Sequence, residues 1–473
     1  MINNFIKLNA IFIFFSSFSY AHSHDVNELK QENVNVILLM ADDLGYGDVG
    51  FTGNENIRTP NLDDMARSGI TLDHFYAASP LCSPSRASCL TGRNPFRQGI
   101  FAAHTAGMRE AETTIAEILS EHGYRNGFFG KWHLGWTIPD KTQQRGFYSP
   151  PWHHGYDEFF GTKGAVPTWN PTKTPEGWTS WGAREDGSWG GSVYLHNGEP
   201  VTENLSGDDS RIIMDRAIPF IDKAVEEEKP FFATIWFHTP HVPVVAGPEY
   251  RVLYPGLPEK QQHLYGAITA MDEQIGRLRD FLKEKGIAEN TIVFFCSDNG
   301  PDGNLTNSGI ASAGPLRGHK HQMWEGGIRV PSLVEWPGHI KEGVVCSVSS
   351  GTVDYLPTIL DALDLPPFTE NPIDGMSLMP ALKGEMNERD IPLAFGYQRL
   401  YKGIEIYALI KDDYKICIPE PEKEMMLFNL DDDPAETTDL SNKKPELKKE
   451  MEMKLEEIKQ SWKNSREGAD YVW

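Results

Sequence analysis

The sequence predicts an α/β sandwich, with strands buried between helical layers and a smaller α+β region at the C-terminal end. Three observations predict it. Short runs of branched and aromatic residues recur at 34–40, 231–237 and 291–296. Continuous apolar runs of this length suit strands of a parallel sheet covered on both faces. Helical patterns lie between the runs, and alternating strand and helix defines the α/β class. Beyond about residue 361 the texture changes to prolines, short strand patterns and one amphipathic helix.

The elements follow in order. VNVILLM at 34–40 stops at Asp42-Asp43. A helical pattern covers 113–122 and ends at Gly123, and strand-like GFF at 127–129 runs into Gly130-Lys131-Trp132-His133-Leu134-Gly135. FFATIWF at 231–237 leads to His238-Thr239-Pro240-His241-Val242-Pro243. A helical pattern over 261–285 stops at Gly286, and TIVFFC at 291–296 stops at Asp298-Asn299. Open α/β sheets bind ligands at the carboxyl ends of their strands, so both acidic pairs stand where a site would form. Pro366-Pro367 and Glu370-Asn371-Pro372 read as connecting segments, 404–418 and 425–429 as short strands, and 447–462 as a helix. The domains are therefore placed at 34–365 and 366–473.

Composition narrows the function. The chain has 473 residues, 40% hydrophobic and 23% charged, as in ordinary globular proteins, and is too long for one simple core. Its net charge of -23 comes from 44 basic against 67 acidic residues. Such a surface repels nucleic acid and anionic lipid, so no nucleic-acid partner is expected, and any anion site must be locally basic. Residues 1–21 read as an export signal. Lys7 precedes an apolar run at 8–18 that is too short to span a bilayer, and Ser19-Tyr20-Ala21 forms a small-x-small cleavage site. The expected location is periplasmic or secreted, with no stable membrane span. Cys82, Cys89, Cys296, Cys346 and Cys417 are too few and too odd in number for a disulfide framework.

Several stretches carry chemistry. Asp42, Asp43, Asp298 and Asn299 offer hard oxygens that suit Ca²⁺ or Mg²⁺ rather than zinc, although such pairs also make turns and caps. Lys131 and His133 stand two apart on an extended segment, which puts a cation and a titratable ring on one face. GPLRGHK at 314–320 is a glycine-punctuated loop that can bring cations to an anion. The loop 169–191 holds Trp169, Trp178, Trp181 and Trp189, which either stack on sugar rings or pack the loop onto the body. In LCSPSRASCLTGR at 81–93, a thiol stands before a Ser-Pro-Ser-Arg segment that reads as a turn.

That last stretch matches the sulfatase signature Cys-x-Pro-Ser-Arg-x-x-x-Leu-Thr-Gly-Arg at every fixed position. Flanking blocks agree with it: DDLGYGD at 42–48, TPNLD at 59–63, GKWHLG at 130–135, HGYDEFFG at 154–161, SDNG at 297–300 and WEGGIR at 324–329. From residue 34 to 462 the chain resembles a formylglycine-dependent sulfatase of the arylsulfatase type. The resemblance implies an alkaline-phosphatase-like mixed sheet sandwiched by helices, with a small antiparallel sheet and helix behind it. It implies that Cys82 is oxidised to Cα-formylglycine (3-oxoalanine) by a formylglycine-generating, sulfatase-maturing enzyme that reads Ser83 to Arg86. Hydration would give a geminal diol. One hydroxyl attacks sulfur, and loss of the second proton later expels sulfate, an exit that a serine ester lacks. By the same resemblance Asp42, Asp43, Asp298, Asn299 and position 82 hold Ca²⁺, with Mg²⁺ second. Arg86 and Lys131 hold the diol, and His133 is the base for sulfate release. His241 and Lys320 bind the sulfate and assist the leaving oxygen. Cys89 falls on a variable position and is read as packing.

The implied substrate is a sulfated carbohydrate, a polysaccharide or oligosaccharide. Candidate substrate contacts are His104, Trp169, His238, Arg317, His319 and His321. His319 stands where relatives commonly have glycine, and Thr162-Lys163-Gly164-Ala165 stands where some carry a serine, so no role is assigned there. Two other readings compete. A phosphatase or phosphonate-monoester hydrolase uses the same scaffold, often with a second metal. A non-catalytic binder of sulfated glycan would have lost site residues, and none is lost.

Overall fold

The computed structural model describes residues 34–103, 106–138, 148–368, 370–399 and 403–471, all within the unit Asn33–Trp473. The predicted signal at 1–21 and the candidate contact His104 lie outside the described residues.

The strands are β1 Asn35–Ala41, β2 Ile70–Leu72, β3 Phe75–Tyr76, β4 Arg125–Lys131, β5 Glu158–Thr162, β6 Leu195–His196, β7 Glu199–Pro200, β8 Phe231–Trp236, β9 Thr291–Ser297, β10 Leu333–Glu335, β11 Val344–Cys346, β12 Ser350–Gly351, β13 Leu393–Arg399, β14 Ile404–Lys411, β15 Tyr414–Cys417 and β16 Met426–Asn429. Among the described residues, ten form one sheet in the order β11-β2-β10-β9-β1-β8-β4-β5-β6-β7. The five strands from β9 to β5 are parallel. β10 runs antiparallel to both β9 and β2, and β6 antiparallel to β5, so the sheet is mixed at its flanks.

Side-chain alternation divides the core. Val36, Leu38 and Met40 of β1 face one cluster, and Ile37, Leu39 and Ala41 face the other, as a period of two requires. The first face is covered by α2 Cys82–Thr91, α3 Ile115–Glu121 and α6 Tyr355–Ala362. The second is covered by α1 Pro60–Ser68, α4 Asp209–Glu226 and α5 Glu259–Glu284. This is the predicted sandwich.

A separate antiparallel sheet, β13-β14-β15-β16, follows. The stretch 404–418, which read as short strands, is a hairpin folded at Asp412-Asp413, with Lys411 opposite Tyr414. One face of this sheet buries Leu409, Ile416 and Leu427 against Met451 and Leu455 of α7 Pro445–Arg466. The other face buries Phe395, Tyr397 and Phe428 in one cluster with Leu81, Cys82 and Trp324. The small sheet thus reaches the start of α2. No helix among the described residues is long and apolar enough to cross a membrane.

Candidate active site

Register explains why distant residues meet. Ala41 pairs with Ser297, Met40 with Trp236, Gly130 with Trp236 and Lys131 with Thr162. Five parallel strands therefore end side by side, and the segments beginning Asp42, Asp298 and Phe237, with Lys131 and Thr162, leave the sheet at one edge.

Cys82 opens α2 at that edge. The Ser-Pro-Ser-Arg segment that read as a turn is the first part of this helix. Proline is tolerated there because the first-turn N–H groups have no helical partner. Every residue of α2 is buried, so its hydroxyls must be paired inside. Ser83 Oγ donates to the His133 carbonyl at 2.7 Å, Ser85 Oγ to Ser79 O at 2.9 Å and Ser88 Oγ to Ser85 O at 2.7 Å. Gly92, at φ 67°, ends the helix by donating its N–H to Ser88 O, a left-handed cap that favours glycine.

Three buried carboxylates face three buried cations. Lys131 Nζ donates to Asp42 Oδ2 at 2.7 Å, and Lys320 Nζ to Asp43 Oδ1. Arg86 gives Nε and Nη2 to Asp298 Oδ2 at 3.0 and 2.6 Å, and Nη1 to the Lys131 carbonyl at 2.9 Å. Asn299 Nδ2 donates to Asp43 Oδ1 at 2.7 Å. Burial works against the Asp42 carboxylate, but Lys131, His241, Arg86 and Lys320 outweigh it and hold the carboxyl well below its usual range. Asp43 is lowered against burial chiefly by Lys320 and His241. Burial, joined by the Asp42 charge, pushes Asp298 up to about 7 despite Arg86.

The donors left over fit a hard cation. Asp42 Oδ1, Asp43 Oδ2 and Asn299 Oδ1 are buried and accept no hydrogen bond among the described residues. Ligand atoms of Asp42, Asp43 and His241 lie within 4.8 Å of one another. Oxygen donors of this kind suit Ca²⁺ or Mg²⁺, and a divalent charge would favour ionised Asp298. His241 follows β8 between cis Thr239–Pro240 and Val242–Pro243. Its Nδ1 lies 2.6 Å from Val242 O and so carries the proton, which leaves Nε2 3.6 Å from Asp43 Oδ2. Burial lowers its pKa.

Above this layer lies a cavity of about 930 Å³. Its floor includes Cys82, whose thiol burial pushes up despite Lys131 and Lys320. Lys131, Lys163, Lys320, His133, His241 and His321 line it, and among the described residues no carboxylate does. His133 is fixed through its backbone, with its N–H on Lys163 O at 2.9 Å and its carbonyl on Ser83. Asp43, His133 and His321 all adopt positive φ, of 67°, 57° and 73°, so three of the site's residues hold a strained backbone.

The core residues named from sequence therefore converge: Cys82, Arg86, Lys131, His133, His241, Lys320, Asp42, Asp43, Asp298 and Asn299. The substrate candidates divide. His321 lines the cavity, and its Nδ1 lies 2.9 Å from Tyr397 Oη of β13. Trp169 does not reach the cavity; its ring packs where a side chain on Gly247 would stand. His238 is fully buried between Asp209 Oδ2 at 2.8 Å and Thr162 Oγ1 at 2.7 Å, so it supports the turn after β5 rather than facing a substrate. Arg317 stacks on Trp324, 3.7 Å from the ring centroid, and is also off the cavity lining. His319 turns its Nδ1 to Lys320 O and stands away from the lining too. Trp136, Lys163 and Trp181 line the cavity without having been singled out as contacts; the tryptophan-rich loop pointed to Trp181 only as one ring of four.

Fold and site together define a hydrolase-type centre for an anionic ester. Residues 34–365 match the family described as Sulfatase, and residues 318–461 match N-sulphoglucosamine sulphohydrolase, C-terminal. The chain belongs to the sulfatase family, whose named members are sulfuric ester hydrolases. It is 33% identical over 403 residues to N-acetylgalactosamine-6-sulfatase of Mus musculus, covering 80% of this chain and 71% of that one. It is 35% identical over 370 residues to arylsulfatase A of Bos taurus, covering 74% and 68%. Among solved structures it is similar to Ps i-CgsB in complex with k-i-k-neocarrahexaose, with TM-score 0.79, 31% identity, and coverage of 90% and 93%.

Proposed function

We propose that the protein removes sulfate from a sulfated poly- or oligosaccharide by S–O cleavage. The reading uses formylglycine at position 82 and Ca²⁺ held by Asp42, Asp43, Asp298 and Asn299. The observation that carries it is a cationic cavity with a thiol at its floor, set beside hard oxygen donors. A buried thiol whose pKa is raised is a weak nucleophile, and a soft sulfur is a poor partner for a hard cation. An oxygen at that position resolves both conflicts. As its hydrate, formylglycine would supply the attacking hydroxyl and the second hydroxyl needed for sulfate release, and Ca²⁺ would make the first more acidic.

The chain's own groups do the rest. Lys320, raised above its ordinary value by Asp43 despite burial, stays protonated and binds sulfate oxygens. Lys131 and Arg86 fix the position-82 oxygens and offset charge there. Neutral His241 presents Nε2, and an anionic ester beside it favours the imidazolium that can protonate the leaving oxygen. His133, held from both sides through its backbone, takes the proton whose loss frees sulfate. Preorganised cations around developing negative charge supply the largest share of the acceleration.

Carbohydrate specificity is supported by the relatives' names and by the exposed Trp181 at the cavity, an aromatic ring of the kind that packs on the apolar face of a sugar. The reading includes export through residues 1–21 and maturation by a formylglycine-generating enzyme. The test is the mass of the peptide carrying residue 82 from native material, paired with sulfate release from sulfated glycans. An aldehyde residue with release is expected. Unmodified cysteine with glycan binding but no release would establish the binder reading instead.

A further inference from the structure

Lys163 stands apart from the cations assigned above. Lys131 and Lys320 are each bonded to a carboxylate, whereas Lys163 lies on the cavity wall with its Nζ 3.1 Å from the centroid of the Trp136 ring. It is half-buried, burial lowers its pKa, and among the described residues no carboxylate offsets that cost. A ring face compensates a desolvated ammonium only in part, and an anion compensates it better.

Its position is also fixed relative to the reaction centre. Thr162 O accepts from Trp132 N at 2.9 Å, and Lys163 O from His133 N at 2.9 Å. Thr162 Oγ1 donates to Gly164 O at 2.6 Å and is backed by His238 and Asp209. The turn that carries Lys163 is thus tied to the segment that carries His133. The same cavity is lined by Ile138, Trp181 and Val193, three of the seven exposed large apolar residues among those described. A cation on a fixed turn, lining the same cavity as these apolar residues, suits an amphiphilic ring that carries more than one charge.

On the sulfatase reading, we propose that Lys163 and Trp136 form a second anion subsite. The preferred substrate then carries a second negative group, sulfate or carboxylate, near the ester that is cleaved.

The experiment compares wild type, Lys163→Met and Lys163→Arg. One substrate pair is a galactose disaccharide with one or two sulfates. The other is a monosulfated uronate disaccharide and its carboxyl-reduced form. 4-Nitrophenyl sulfate reports the hydrolytic centre alone. The wild type is expected to prefer one doubly charged substrate by about tenfold in kcat/KM, the size of one charge-assisted hydrogen bond. Lys163→Met should erase the preference, with the loss confined to that substrate, and Lys163→Arg should restore most of it. Which pair shows the preference identifies sulfate or carboxylate as the second group. Equal loss on every substrate, or no preference in wild type, overturns the proposal. Failure of wild type on every sulfate ester would refute the sulfatase reading. The subsite is then judged by calorimetric binding of the two disaccharide pairs, where equal binding by wild type and Lys163→Met overturns it.

Discussion

Replacing Lys131 by methionine tests the charge arrangement under the cavity. The side chain is fully buried and gives its ammonium to Asp42 Oδ2 at 2.7 Å. Methionine keeps the length and removes the charge. It leaves Asp42 buried with its nearest cation gone and Arg86 Nη2 at 3.4 Å from Oδ1. Breaking a buried pair from one side costs about 3–5 kcal/mol. Unfolding entropy of about 2.1 cal/mol/K per residue, taken over 473 residues, gives about 1 kcal/mol/K, so Tm should fall by about 3–5 °C. Because Asp42 has a lowered pKa in the fold, its contribution is present above its unfolded value and lost as pH falls through the folded one. The Tm gap should therefore be full near neutrality and close in acid. Adding Asp42→Asn to Lys131→Met should recover part of the loss, although Asp42→Asn alone destabilises by stranding the ammonium. Scanning fluorimetry at one scan rate reads all four proteins. Additive single and double effects, or an unchanged Tm in Lys131→Met, would refute the reasoning. Sulfate-ester hydrolysis by Lys131→Met should fall by roughly 10²–10³, the scale for one lost preorganised donor.

Calcium at about 100 times its Kd should stabilise chelated protein by about 2.7 kcal/mol, or about 3 °C on the same entropy scale; Asn299→Ala should lose most of this shift, and an unchanged Tm on calcium addition would count against the metal site. Asp208 caps α4 by accepting from Arg211 N at 2.8 Å, and burial pushes its pKa up to about 8. Its stability contribution is therefore full below the unfolded value and lost as pH rises through about 8. Asn keeps the cap without titrating, so the stability of Asp208→Asn relative to wild type should climb between about pH 4 and 8, by no more than about 1.4 kcal/mol per pH unit, and a flat difference would mean ordinary ionisation. His321→Ala should lower kcat/KM on glycan about tenfold, as for one lost hydrogen bond to charge, and spare 4-nitrophenyl sulfate. His319→Ala should leave both rates unchanged, because its ring is not part of the cavity lining.

The strand ends were legible because parallel strands announce themselves as apolar runs and their carboxyl ends hold the chemistry. Asp42-Asp43 and Asp298-Asn299 terminate adjacent, in-register strands, so their convergence follows from sheet order. What sequence periodicity does not encode is which loops face one another across the cavity. Trp169 and Trp181 belong to one tryptophan-rich stretch, yet Trp169 packs on Gly247 while Trp181 meets His241 edge-on with centroids 6.3 Å apart. His238 read as a substrate contact because it stands three residues before His241 at a position where members of the resembled family vary. Its partner Asp209 lies 29 residues earlier on α4, and only the fold brings them together. The proline in SPSR was misleading in another way, since the same residue favours a turn or a first helical turn and local sequence alone does not choose. Tyr397, which fixes His321, comes from a sheet that the sequence set apart as a separate region.

The charge distribution reconciles an acidic protein with an anionic substrate. Each of the three carboxylates nearest the cavity is matched to one cation: Asp42 to Lys131, Asp43 to Lys320 and Asp298 to Arg86. The pairs nearly cancel as a group, so on their own they would attract an anion only weakly. Two things tip the balance. The carboxylates lie beneath the cavity, and among the described residues its lining presents only lysines and histidines as ionisable groups beside Cys82. A divalent ion on the oxygens that accept no hydrogen bond among the described residues would then add net positive charge beside the cavity. At short range in a partly dry site these local charges outweigh the distant -23, which water and salt screen within about 10 Å. The acidic exterior is thus compatible with sulfate binding because the two fields act over different distances.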